Sequence, residues 1–395
     1  MYFVKFLQPT EQQVDGDIVE YRLACSGELY NRKVLTHDWR KSDVTRVLLE
    51  KPFTLLVASQ PFNTYPQELC ARLTVARVRE QDTNGNVTWT KTFLPDQDIV
   101  EDACAILTLL SRRLVSPVVK TMERPSAGSS TLNLFQSQVP TPIVDRFKVV
   151  AWPRRPLTVT SSLFEQTVQF NDPPPVGVDP EALAAFLAHL GTRENAQDIV
   201  YAARQYKTAL ELIEERPDTA YLALVSVVET LASIALATYQ PEESERISIK
   251  ANVAKRAREL GLCEAQADEV ALEATKGDYW LTRKFVKFCK DYCPASELKL
   301  RDPVFMLPEF LMPAENDFEV FLKRIYRARS KNLHVAAPFP PGAGIGTSPM
   351  IKVRELPLNP LKKLEIPPVT WFERVVSVAA RRYLVRDGTE PFIDV

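Results

Sequence analysis

A run of three consecutive prolines near the middle of the chain, Pro173 to Pro175, separates two halves with different sequence patterns. Proline fixes the backbone angle φ and has no N–H group, so three in succession cannot lie inside a helix or a central strand, and they make a stiff spacer. A chain of 395 residues also suits more than one domain. The sequence therefore predicts an N-terminal domain over residues 1–172, a proline-rich linker over 173–180 and a C-terminal domain over 181–395.

The first half alternates apolar and polar residues with the period of two that is typical of β-strands. The segment Val19 to Cys25 shows this alternation, and two further strand-like runs flank Asn84-Gly85, a dipeptide that favours a tight hairpin. One helix interrupts the strands, with Asp98 as its predicted N-cap and Pro117 as its predicted end. Strand-like segments resume over Leu157 to Phe170. We therefore predict a β-rich α+β domain.

The second half spaces its apolar residues as helices do. Asp179 is a predicted N-cap with Pro180 at the first helical position, and Pro217 opens a helix that is apolar on nearly every side and is expected to lie at the centre of a bundle. The other predicted helices run over Glu194–Glu215, Glu243–Leu260, Glu264–Ala274, Tyr279–Asp291, Glu315–Leu333 and Thr370–Leu384. The predicted fold class is α+β with two domains, of which the second is an all-α helical bundle.

The charge balance excludes a general attraction to nucleic acid. Lys plus Arg number 49 and Asp plus Glu number 50, so any contact with RNA must come from a local cluster of cations. No apolar run approaches the roughly 20 residues that span a bilayer, and the first residues lack the pattern of a signal peptide. A cytoplasmic protein without membrane contact is expected.

The six cysteines are scattered through the chain, as is typical of reduced thiols in the cytoplasm, and no disulfide is predicted. Cys289 and Cys293 lie four residues apart on a predicted helix, but no histidine or second cysteine pair lies nearby to complete a zinc site, so we interpret them as structural. The glycine-rich stretch 342–346 precedes no helix and is interpreted as a flexible connector, not as a nucleotide site. No metal and no cofactor are predicted.

The chain has three histidines, the side chains best suited to acid–base chemistry near neutral pH. His37 lies among strand and turn residues without a nucleophile or ligand set beside it, and His189 is placed to cap the C-terminal end of a helix. His334 differs because it ends a strongly basic helix. Pro338 biases the residue before it away from helical angles, so this helix is expected to finish close to His334.

Cations and one hydroxyl precede His334 on that helix. On a regular helix Arg327 and Ser330 share the face of His334, whereas Arg329 is offset by about 140°. Arg329 can reach the imidazole only through its length or through local unwinding before the proline. Taken from its spacing alone, the motif is typical of a solvated basic helix that ends in a capping histidine. The candidate RNA-binding residues are Arg324, Arg327 and Lys331.

The string Ile325 to His334 resembles the Arg-x4-6-His signature of HEPN domains, in the Arg-Ser-x-x-x-His form of the Apea-like group. Two other segments resemble that group and occur in its order: Tyr221 to Leu231, an apolar helix with the lone acid Glu229, and Trp280 to Phe288. The resemblance covers roughly residues 180–390. It implies that the helical bundle is a HEPN domain preceded by a β-rich domain.

HEPN ribonucleases, as the resemblance implies, cut RNA without a metal. The 2′-hydroxyl of RNA is the nucleophile, while a histidine transfers its proton and an arginine holds the phosphate during charge development. These roles map to His334 and Arg329, with Ser330 as the polar neighbour of the arginine; Val335 stands where the group often has glycine. Two protomers bring their motifs together at a two-fold axis to form one composite site, so a homodimer is expected.

Glu229 is expected to pair with Arg329, because a carboxylate on an apolar helix needs a partner to offset its desolvation. This pair either anchors two helices or supports catalysis, and the two roles overlap. Glu229 therefore completes the candidate catalytic set with Arg329, Ser330 and His334.

Three functions remain open on the sequence. The first is a metal-independent HEPN endoribonuclease, which the resemblance implies acts in anti-phage defence or another toxin-like stress response, with an N-terminal domain that binds an unknown trigger. The second is a non-catalytic HEPN module that binds a partner or nucleic acid through the helix 321–334. The third is a structural dimerisation protein, in which Arg329 and His334 are incidental. The intact arginine–histidine pair favours the enzyme.

Overall fold

A computed structural model gives the conformation of most of the second half of the chain and of selected segments of the first half. The residues it describes are 13–27, 29–31, 53–56, 67–81, 84, 87–91, 96–124, 133–134, 155–161, 166–171, 176–240, 242–273, 280–294, 317–340, 350–352, 365–386, 388 and 390–394. His37 and the glycine-rich stretch 342–346 lie outside the described residues.

Strands dominate the described segments before residue 179, and two short strands follow later in the chain. They are β1 Gln13–Cys25, β2 Leu29–Asn31, β3 Phe53–Leu56, β4 Gln67–Gln81, β5 Val87–Lys91, β6 Val115–Arg124, β7 Asn133–Leu134, β8 Arg155–Ser161, β9 Gln166–Asn171, β10 Val176–Val178, β11 Met350–Lys352 and β12 Phe392–Asp394.

One helix lies among the strands of the first half, and helices dominate the described residues after 179. They are α1 Asp96–Ser111, α2 Pro180–Thr192, α3 Ala196–Leu212, α4 Pro217–Ala235, α5 Glu243–Glu259, α6 Glu264–Glu273, α7 Leu281–Tyr292, α8 Phe318–Val335 and α9 Val369–Val385. The mixed α+β class predicted from the sequence is therefore confirmed.

The main sheet is built around β1. Its strand order is β3-β4-β1-β6-β7, with β5 paired to β4, and β1 runs antiparallel to both β4 and β6. Val19, Leu23 and Cys25 on one face of β1 are fully buried in the same apolar cluster as α1, as the alternation predicts. The β4–β5 pair, with Arg79 opposite Trp89, is the hairpin predicted on either side of Asn84.

The bounds of α1 differ from the prediction. The helix begins at Asp96, so Asp98 lies inside it and is not its N-cap, and it ends at Ser111. Arg112 has a φ of 54°, a left-handed conformation that cannot continue a right-handed helix. Pro117, the predicted terminator, lies in β6 opposite Leu23, where the register of the β1–β6 pair shifts. Such an irregularity tolerates a residue that cannot donate to the ladder.

The last residues of the predicted linker form a buried strand. Val176 and Val178 are each 1% exposed, and β10 pairs in parallel with β2 and antiparallel with β12. Valine, unlike proline, has a backbone N–H group and favours extended structure, so the two valines can join the hydrogen-bond ladder of a sheet. One apolar cluster includes residues from β1, α1 and the later helices, and α1 packs on α3. The division of the chain into two domains stays a prediction.

The C-terminal part is helical but not purely so, which corrects the expectation of an all-α region. Its short strands β11 and β12 pair with β9 and β10, both from the first half. The predicted helices are otherwise present, with bounds within three residues of those expected. The Asp179 carboxylate accepts hydrogen bonds from the backbone N–H groups of Glu181 and Ala182, which confirms it as an N-cap.

α4 is the central helix of the bundle. It contacts α3, α7, α8 and α9, and its buried residues include Tyr221, Leu224 and Val228. Among the described helices it is the one that could cross a membrane, judged by length and composition only. This corrects the expectation that no apolar run approaches that length. Half of that apolar window is buried inside the protein. Such burial is compatible with the core helix of a soluble protein.

A buried polar network joins α1, α3 and α9. The carboxylate of Glu373, which is fully buried, accepts two hydrogen bonds from the Arg112 guanidinium, at 2.8 and 3.3 Å, and one from the Tyr206 hydroxyl at 2.5 Å. Burial and the negative charge of Glu373 raise the pKa of Tyr206 well above its usual value. This network ties the only helix described before residue 176 to the helical bundle.

Candidate functional site

The helix α8 carries the candidate site and has two distinct faces. Phe321, Leu322 and Ile325 are among the residues that it buries against the core. Its exposed residues include the three candidate RNA-binding cations and the candidate base: Arg324, Arg327, Lys331 and His334. The basic motif is therefore solvent-accessible and not part of the core.

α8 ends one residue after His334, as Pro338 predicts. Ala336 takes a left-handed conformation with φ of 50°, and its N–H donates to the carbonyl of Lys331. The side-chain amide of Asn332 donates to the carbonyl of Ala337 at 2.9 Å. These bonds satisfy carbonyl groups at the helix end and turn the chain away from the axis. Val335, in place of glycine, is accommodated as the last helical residue.

The chain beyond His334 is fastened to the core through an aromatic stack. The ring of Phe339 stacks on Tyr221 with centroids 5.4 Å apart, and Phe372 stacks on Tyr221 at 5.3 Å. The Tyr221 hydroxyl donates to the carbonyl of Pro367 at 2.5 Å. A buried aromatic stack with its hydroxyl satisfied is a firm anchor. It holds the end of α8, and therefore the backbone of His334, against α4 and α9.

Arg329 is held by Glu229 on α4. Nη2 of Arg329 donates to Oε2 of Glu229 at 2.8 Å, and the two side chains are 23% and 17% exposed. The guanidinium lies 5.8 Å from the centre of the Tyr326 ring. Burial raises the pKa of Tyr326 to about 12, and the nearby Glu229 carboxylate adds to that rise. The ion pair predicted between Arg329 and Glu229 is therefore present; its role in catalysis stays a prediction.

His334 and Arg329 do not converge within one chain. α8 is helical through Val335, so no unwinding brings them together, and regular geometry leaves them about 140° apart around the axis. His334 is exposed, and no hydrogen bond or ion pair joins it to another residue in the part of the chain that is described. Ser330 is partly exposed between the two. A site that uses both the imidazole and the guanidinium therefore needs either a substrate that spans them or a second protomer.

The cations of α8 differ in their position relative to His334. Seven residues before it, Arg327 points within about 20° of the same direction, and Lys331 within about 60°. Arg324 is offset by about 80°, and its guanidinium lies 5.4 Å from the Phe321 ring. Arg327 and Lys331 are thus the cations best placed to act beside His334.

The other polar residues considered in the sequence have ordinary structural positions. His189 is exposed in the last turn of α2, and its carbonyl accepts a hydrogen bond from the Thr192 hydroxyl at 2.8 Å. Cys289 and Cys293 are both buried, and burial raises the pKa of Cys289 well above its usual value. Among the described residues, no group of three histidine, cysteine, aspartate or glutamate side chains is placed to hold a metal.

Sequence reasoning missed an open cleft of about 550 Å³ between α7 and α8, in which cations from the two helices meet. On α7 its cations are Arg283, Lys287 and Lys290, at spacings of four and three residues that place them on one face. Lys323 and Arg327 contribute from α8. The spacing of the cations on α7 could have indicated a basic face on that helix. The sequence did not show which face of α8 would lie opposite it.

Comparisons with protein-family models, with curated proteins and with solved structures found no match for the chain.

Proposed function

We propose that this protein is a metal-independent endoribonuclease of the HEPN type, in which His334 is the general acid–base and Arg329 stabilises the phosphate. Ser330 and Glu229 orient the arginine, while Arg324, Arg327 and Lys331 bind the RNA backbone. The enzyme acts as a homodimer in the cytoplasm, in anti-phage defence or a related stress response, and the N-terminal region receives the trigger.

The observation that carries the proposal is the position of His334. Its exposed imidazole ends a helix whose solvent face also presents Arg327 and Lys331, and the aromatic anchor behind it fixes the backbone. A general acid–base must reach substrate from a rigid support, with cations near enough to attract the phosphate.

His334 and Arg329 suit a transesterification of the RNA backbone. The imidazole accepts the proton of the RNA 2′-hydroxyl, the 2′-oxygen attacks the adjacent phosphorus, and the bond from phosphorus to the 5′-oxygen breaks. A protonated imidazole returns a proton to the leaving 5′-oxygen. The products are a 2′,3′-cyclic phosphate and a 5′-hydroxyl end. The guanidinium of Arg329 can donate two parallel hydrogen bonds to phosphate oxygens and stays charged throughout.

The divergence of the two side chains on α8 supports a composite site. Because Arg329 and His334 point about 140° apart on one helix, a pair that acts on one phosphate is most easily assembled from two chains. In a two-fold dimer a contact between residue i of one protomer and residue j of its partner is repeated from j to i, so an arginine of one protomer that lies beside the histidine of its partner gives a second such pair. Each dimer then contains two arginine–histidine pairs around one axis.

The test is a ribonuclease assay with the purified full-length protein in excess EDTA. We expect cleavage of single-stranded RNA that leaves 2′,3′-cyclic phosphate ends, detected by mass spectrometry, because no step needs a metal. The matched control substrate has one 2′-deoxy nucleotide at the cut position, and its cleavage there is expected to be abolished. Cleavage that stops in EDTA, or that proceeds at the deoxy position, would contradict the proposal.

One observation favours the second candidate, a non-catalytic module that binds nucleic acid through α8. The guanidinium of Arg329 is already paired with Glu229, which lowers the positive charge available to a phosphate. In that case the protein binds RNA but leaves its ends intact in the same assay. The two candidates therefore differ in one measured outcome, the appearance of cyclic phosphate ends.

A further inference from the structure

The basic cleft between α7 and α8 lies beside the candidate site, and of its residues Arg327 alone has a role in the function proposed above. Among the described residues, five cationic and two carboxylate side chains line it, which gives a local excess of positive charge in a protein whose overall charge is −1. We propose that this cleft binds the phosphate chain of an RNA strand. The position of the cleft relative to the cleavage site rests on the proposed function. The binding of phosphates in the cleft does not.

An ion-pair network crosses the cleft from one wall to the other. Oε1 and Oε2 of Glu319 accept from Nζ of Lys323 and Nζ of Lys290, each at 2.7 Å, so one carboxylate links the two helices. Hydrogen bonds from these two lysines lower the pKa of Glu319 to about 2, which keeps the carboxylate charged at all ordinary pH values. A charged carboxylate thus bridges the two walls at the surface of the cleft.

The surplus cations are not needed by that network. Lys287 pairs with Asp291 one turn along its own helix, at 3.0 Å, and this pair does not link the helices. Arg327 is exposed, and among the described residues no carboxylate pairs with it. Arg327, exposed and without a described carboxylate partner, together with the local excess of cations, favours an anionic ligand in the cleft.

The direction of the cleft connects it to His334. Lys323 and Arg327 precede His334 by eleven and seven residues, so both point within about 20° of its direction. At 1.5 Å of rise per residue they lie roughly 17 Å and 10 Å from it along the axis. A stretched single strand covers such distances in a few nucleotides. A strand with its phosphates in the cleft therefore reaches the imidazole on the same face of α8.

The chemistry of the walls favours a nucleic acid strand over an acidic peptide. The exposed Arg327 offers a planar guanidinium group that matches phosphate oxygens, and Tyr239 adds an aromatic ring on which a base can stack. A cleft of about 550 Å³ has the volume of a small-ligand site, which is enough for a short stretch of one strand. The ligand class is therefore single-stranded RNA held by its backbone.

The test uses an RNA that cannot be cut, so that binding is measured apart from catalysis. A fluorescein-labelled 12-nucleotide strand with 2′-O-methyl groups is titrated with full-length protein over a series of salt concentrations, and its anisotropy is recorded. The cleft variant is Lys287→Glu with Lys290→Glu, both on α7 and neither of them in the candidate site on α8. The matched control is Lys250→Glu with Lys255→Glu, an equal charge change at two exposed positions of α5. Thermal melts verify that both variants fold.

We expect the cleft variant to bind at least about tenfold more weakly than wild type and the control to bind as wild type does. The slope of log affinity against log salt is expected to fall by about 0.7 for each lost phosphate contact. Equal binding by the two variants would overturn the proposal, as would a wild type that fails to bind. Competition by polyglutamate as strong as that by RNA would overturn recognition of phosphate.

Binding of RNA by the cleft and cleavage of RNA can fail independently of each other. A wild type that binds the uncleavable strand through the cleft but cuts no RNA would support the cleft and contradict the nuclease. A wild type that cuts RNA while the cleft variant binds as the control does would contradict the cleft alone.

Discussion

Replacing His334 with alanine is expected to lower the rate of RNA cleavage by about 10²–10⁴-fold. The substitution removes the one side chain near the exposed end of α8 that can both accept and return a proton near neutral pH. Since His334 is exposed and makes no hydrogen bond with another described residue, the fold should be unaffected. Initial rates on a fluorogenic RNA substrate, with a melting temperature for each variant, measure both effects.

His189→Ala is the matched control for this variant. His189 is also an exposed histidine in the last turn of a helix, so its loss reproduces any non-specific effect of removing an imidazole. We expect this control to cleave RNA at the wild-type rate. A His334→Ala protein that still cleaves within about threefold of wild type would remove the histidine from the mechanism.

Replacing Glu373 with alanine is expected to lower the free energy of unfolding by about 3–5 kcal/mol. The substitution leaves the buried Arg112 guanidinium without its counter-charge and the Tyr206 hydroxyl without its acceptor. Tyr206→Phe, which removes one hydrogen bond and leaves the ion pair intact, should cost about 1 kcal/mol. Urea denaturation followed by circular dichroism gives both values.

Glu259→Ala is the control for charge, because Glu259 is exposed at the end of α5. It should change the free energy of unfolding by less than about 0.5 kcal/mol. If Glu373→Ala does not yield folded protein, Tyr206→Phe keeps the prediction testable. A Glu373→Ala protein as stable as the control would show that the buried network contributes little to the link between α1 and the bundle.

The helices of the second half could be predicted well because their signals are local. Asp179 caps α2 through its own side chain, and Pro217 opens α4 by its fixed φ. Residues at the boundary itself therefore determine where both helices begin. Pro338 predicts the end of α8 in the same way. Where the determinant is distant, prediction fails: Arg112 and Glu373 are 261 positions apart, and nothing beside either residue indicates their contact.

The candidate site was predictable in part. The Arg329–Glu229 pair follows from the cost of burying an unpaired carboxylate, and the exposed basic face follows from the spacing of the cations. Whether α8 unwinds before its prolines could not be read from the sequence. It depends on bonds made by Lys331, Asn332 and Ala336 at the helix end, which keep the helix regular through His334. That regularity is what separates Arg329 from His334 and points to two chains.

The central claim is that the arginine of one protomer and the histidine of its partner act on the same phosphodiester. Complementation between Arg329→Ala and His334→Ala tests it most directly. Each variant alone should be inactive. After subunit exchange, half of an equimolar mixture is mixed dimer with one of its two pairs intact, so about a quarter of wild-type cleavage should return. A mixture that stays inactive, although native mass spectrometry detects the mixed dimer, would contradict the claim.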